Sequence, residues 1–62
     1  MITYDLLKKA TKWFRVHNID TFINKGKMYI KEGGFEFELS SEEIIYRAEE
    51  YVRLKESNLI KQ

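Results

Sequence analysis

The chain has 62 residues and a net charge of +1, with 44% of its residues hydrophobic and 15% aromatic, enough apolar material for one small domain and no more. It holds no cysteine and one histidine, His17, which excludes disulfide cross-links, thiolate zinc sites and cysteine nucleophiles and leaves too few ligands for a metal centre. The longest unbroken apolar stretches, such as Ile44-Ile45-Tyr46, fall far short of the roughly 18 residues of a membrane span. With no apolar signal-peptide core at the start, a cytoplasmic protein without a membrane partner is expected. So short a chain buries only about 60% of the surface its unfolded form exposes, so a partner or a second copy is expected to complete its core.

Leu6, Leu7, Ala10, Trp13, Phe14 and His17 recur at three- and four-residue spacing, the signature of an amphipathic helix. Thr3 suits its N-cap, Asp5 its first turn, Lys12 and Arg15 its later turns, and Asn18 its end. A strand over about Ile19 to Ile23 follows. It returns through Asn24-Lys25-Gly26 if the loop has three residues, which sets Phe22 beside Met28 on the core face. A two-residue loop at Lys25-Gly26 turns Phe22 outward, and the local pattern leaves both open.

The next hairpin is better specified. A two-residue turn at Gly33-Gly34 opposes Lys31 to Glu36, Ile30 to Phe37, Tyr29 to Glu38 and Met28 to Leu39, with apolar pairs inward and the Lys31 and Glu36 charges paired outward. Ser40 and Glu43 then read as a capping box, and Leu39 staples onto Ile44. Ile44, Ile45, Ala48, Tyr51, Val52 and Leu59 trace the apolar stripe of a second helix from Ser41 to about Ser57. It is supported by Glu43–Arg47 and Glu49–Arg53 at i,i+4, with Asn58 as cap and Leu59 to Gln62 frayed. The expected fold is therefore a single α+β domain of order α-β-β-β-α, a three-stranded antiparallel meander with both helices on one face.

That element order is similar to the double-stranded RNA-binding domain, and the similarity ends at topology. Ser40-Ser41-Glu42-Glu43 stands where that family carries its basic cluster, and Asn24-Lys25-Gly26 is too short to reach a minor groove.

Charge is divided along the chain, with residues 1 to 31 carrying +5 and residues 32 to 62 carrying −4. In the three-residue-loop register the open sheet face presents Thr21, Ile23, Lys27, Tyr29, Lys31, Glu36 and Glu38. An amphoteric face bearing an aromatic ring suits a protein partner. Tyr29 and Lys31 on that face, with Tyr46, Glu49 and Arg53 on the second helix, are the expected protein contacts. The alternative is a phosphate-tracking surface of Lys8, Lys12, Arg15, Lys25 and Lys27. The first strand is an expected sheet edge, open to homodimer pairing. Trp13, at the border of the apolar stripe, is expected at the core rim. His17 and Asp20 are the one pair that can be drawn as a base and its orienter, with no nucleophile or second acid to join them. The expected function is a non-catalytic protein-interaction domain without cofactor or metal, an adaptor, inhibitor or regulator of the compact kind that phage and mobile elements often encode. Its expected partner is a larger protein or itself.

Overall fold

The computed structural model describes residues 2–57 of the chain. The first helix, α1 (Tyr4–Val16), starts where the Thr3 side chain accepts a hydrogen bond from the Leu6 N–H at 3.2 Å. Asn18 terminates it at φ 60°, a left-handed conformation asparagine tolerates. There the Asn18 N–H donates to the Arg15 carbonyl at 3.0 Å and the Ile19 N–H to the Phe14 carbonyl at 2.9 Å, the paired bonds of a Schellman motif. Ile19 packs against the cluster that contains Phe14, so the motif also aims the chain into the sheet.

Strands β1 (Asp20–Asn24), β2 (Lys27–Glu32) and β3 (Phe35–Glu38) form an antiparallel sheet in the order β1-β2-β3. The Gly33-Gly34 turn and its register agree with the sequence expectation, and the Leu39 N–H extends the ladder by donating to the Met28 carbonyl at 2.9 Å. The first hairpin takes the two-residue loop. Ile23 opposes Met28, Phe22 opposes Tyr29, and Lys25 and Gly26 both have positive φ, at 54° and 76°, as a type I′ turn requires. This corrects the preferred register. Thr21 and Ile23 lie on the helix side, and Phe22 lies on the open face stacked on Tyr29 at 4.9 Å. The cross-strand aromatic stack and the placement of β-branched side chains towards α1 outweigh the strain of a lysine at positive φ. Relieving that strain is expected to stabilise the fold. Lys25→Asn should raise unfolding free energy by about 0.5–1 kcal/mol in urea titration; no gain would mean the loop is not held in the two-residue form.

The second helix, α2 (Ser41–Glu56), begins at Ser40, whose side chain accepts from the Glu43 N–H at 3.1 Å. Only that half of the expected capping box forms, because the Glu43 carboxylate instead takes the Arg47 guanidinium at 2.7 Å. Arg53 pairs with Glu50 at 2.9 Å rather than with Glu49. The Asn58 cap, the Leu59 position in the stripe and the frayed end lie outside the described residues.

The fold is the α+β meander expected from the sequence. One core joins its layers: Leu7, Ala10 and Phe14 of α1, Met28 of β2 and Ile44 of α2, with Trp13, Ile30 and Leu39 packed at its margin. Because Met28 is the sheet residue in that core, both helices lie on its face of the sheet. His17, placed by periodicity on the apolar side, is exposed at the C-cap of α1.

Candidate binding surfaces

The expected contact residues separate onto two sides of the molecule. Tyr29 and Lys31 lie on the open sheet face, whereas Tyr46, Glu49 and Arg53 project from α2, which packs on the opposite face. Tyr46 is 50% exposed, and the Arg47 guanidinium lies 5.1 Å from its ring centre. On the open face, Tyr29 and Phe22 cover each other, and each remains partly buried. Lys31 and Glu36 are register partners as expected, but the ion pair on this face runs from Lys27 to Glu38, at 3.8 Å.

Trp13 is held from both helices. The His17 ring stacks on it at 3.9 Å and the Arg47 guanidinium sits 4.1 Å from its centre, itself anchored by Glu43. A planar cation between a carboxylate and aromatic rings fastens α2 to α1. This agrees with the core-rim expectation for the tryptophan. His17 Nδ1 is 2.9 Å from the Trp13 carbonyl, and no hydrogen bond or ion pair joins the ring to Asp20.

Two further surfaces emerge from the tertiary arrangement. The first is on β3. Phe35 and Phe37 share the helix side of the sheet with Met28 and Ile30, but the helices do not cover them. They are 67% and 53% exposed, with ring centres 6.3 Å apart. Alternation in Phe35-Glu36-Phe37-Glu38 shows which face these rings occupy, while their coverage depends on where the helices end up over the sheet.

The second surface is a groove between α1 and β1. It consists of two depressions of about 260 and 240 Å³ that share Thr11 and Arg15. Tyr4, Lys8 and Lys12 group with Ile23 at one end, and Asn18, Asp20 and Thr21 mark the other, so β1 runs antiparallel to α1. Three of the five residues expected to bind nucleic acid, Lys8, Lys12 and Arg15, thus line one depression. Lys25 lies in the β1–β2 turn and Lys27 opens β2, where it is engaged by Glu38. No protein-family model, curated protein or solved structure matches this chain. The surfaces therefore stand on their own chemistry. Among the described residues no group of acidic and histidine side chains is arranged to hold a metal, and no helix is long and apolar enough to cross a membrane.

Proposed function

We propose that this chain is a small, non-catalytic protein-binding domain that docks on a larger protein as an adaptor, inhibitor or regulator. The observation that carries the reading is the uncovered aromatic pair Phe35 and Phe37 at the free edge of the sheet. Neighbouring aromatic rings left in water contribute little to stability, whereas at the centre of an interface they supply much of the binding energy. A different protein suits this edge better than a second copy of the chain. Two-fold pairing of β3 with β3 would set Glu36 and Glu38 against their like-charged equivalents.

The test is capture from a lysate of the source organism, with and without nuclease, using the native chain beside Phe35→Ser/Phe37→Ser. Both side chains are exposed, so the variant is expected to fold, which circular dichroism checks. A stoichiometric protein that survives nuclease and is reduced at least about tenfold by the double substitution supports the reading. A partner retained equally by both chains removes β3 from the interface. The second reading, nucleic-acid binding, draws on the gathering of Lys8, Lys12 and Arg15 along one depression. It requires recovery that vanishes with nuclease and an affinity that falls steeply with salt.

A further inference from the structure

The α1–β1 groove combines two features that neither element has alone. The first is an unused strand edge. With a two-residue loop, Asn24 and Lys27 close the turn as a hydrogen-bonded pair. Alternation then directs the backbone groups of Phe22 and Asp20 to β2 and turns the N–H and C=O of Thr21 and Ile23 outwards, since β1 is the outer strand. The side chains of these same two residues point to the helix side and line the groove. The second feature is a cationic wall. Lys8 and Arg15 are exposed and form no ion pair with any described residue, and Lys12 lines the same depression. No acidic side chain lines that depression, and Asp20 lies only at the Asn18 end.

We propose that this groove takes an extended acidic peptide segment of a partner protein as a fourth strand, its backbone on the Thr21 and Ile23 edge and its alternate carboxylates on Lys8, Lys12 and Arg15. The spacing matches. Lys8 and Lys12 are four helical residues apart, a rise of about 6 Å, and side chains on one face of a strand repeat every two residues, about 6.7 Å. Acidic residues at i and i+2 of the added strand therefore stay in step with Lys8 and Lys12, while Arg15, only about 4.5 Å further along α1, meets the next carboxylate through the length of its side chain. Main-chain hydrogen bonds hold the segment, and the charges select it. A nucleic-acid strand satisfies the same cations and leaves the Thr21 and Ile23 edge groups unpaired, so the combination favours the peptide.

The inference deepens the protein-binding reading through a surface separate from β3, and the two can fail independently. The probe is a fluorescein-labelled eight-residue peptide alternating Glu and Val, titrated with the full chain and followed by anisotropy. Weak, saturable binding is expected, at least tenfold weaker for Lys8→Glu/Arg15→Glu. Two versions of the peptide are N-methylated, one at its Glu and the other at its Val residues. The first blocks antiparallel addition and the second parallel addition, so one of them must lose binding. Peptide binding by Phe35→Ser/Phe37→Ser is expected to match the native chain. The proposal is overturned by no binding at protein concentrations up to about 1 mM, by retention in the charge-reversed variant, or by binding of both methylated peptides. Loss of binding in the β3 variant, or tighter binding of an eight-nucleotide thymidine strand than of the peptide, equally overturns it.

Discussion

Phe14→Ala is expected to destabilise the domain by about 3–5 kcal/mol. Phe14 is 2% exposed and contributes to the core shared by α1, α2 and β2. It meets the Trp13 ring edge-on at 5.0 Å, and its carbonyl accepts the Ile19 N–H that closes the end of α1. Truncation removes the ring from between the layers and leaves a cavity beside the helix terminus that turns the chain into the sheet. A domain of this size has about 3–9 kcal/mol of total stability at the usual value per residue, so the variant is expected to populate its unfolded state substantially without denaturant. Urea titration followed by far-ultraviolet circular dichroism measures this. A loss below about 1 kcal/mol would show that the neighbouring side chains close over the gap, and that Phe14 does not hold the layers together.

Met28→Ala is the second large effect, expected at about 2–5 kcal/mol, with Met28→Leu held under about 1.5 kcal/mol because volume is nearly conserved. Met28 is 0% exposed and is the sheet's member of the buried cluster that also holds side chains of both helices. Its flexible thioether chain fills the gap where a helix pair and a twisted sheet meet. Trp13 is the single tryptophan and lies at the α1–α2 contact through Arg47. Its fluorescence therefore reports on the helix pair, while amide exchange in β2 reports on the sheet. Both are expected to shift together in Met28→Ala. Separate transitions would mean that the helices and the sheet unfold as independent units, with Met28 coupling them only weakly.

The two expected binding surfaces fared differently once the chain folded. Lys8, Lys12 and Arg15 stayed together because i, i+4 and i+7 positions share one helix side in any tertiary setting, and β1 supplied a wall opposite them. The other set was drawn from two elements, Tyr29 and Lys31 on the open sheet face and Tyr46, Glu49 and Arg53 on the second helix, and the fold keeps those two groups apart. The sheet stands between them, since α2 packs on the Met28 face and Tyr29 on the other. Phe35 and Phe37 were legible as the apolar side of a strand, but no periodicity in the chain marks how far a helix reaches across a sheet.

Local chemistry determined the element order, the caps at Thr3 and Ser40, the termination at Asn18 and the Gly33-Gly34 register, because each depends on residues within a few positions of one another. At Asn24-Lys25-Gly26 two loops were nearly equivalent locally. The Phe22–Tyr29 stack across the hairpin and the placement of Thr21 and Ile23 beside α1, the latter distant in sequence, settled the choice. That one-residue difference moved every β1 side chain to the other face, and with it decided which backbone groups line the groove. Arg47 shows the same division. The sequence determined its pairing with Glu43 through i,i+4 spacing, and the packing of α2 on α1 placed its guanidinium on Trp13, a contact set by helix crossing and absent from either helix alone.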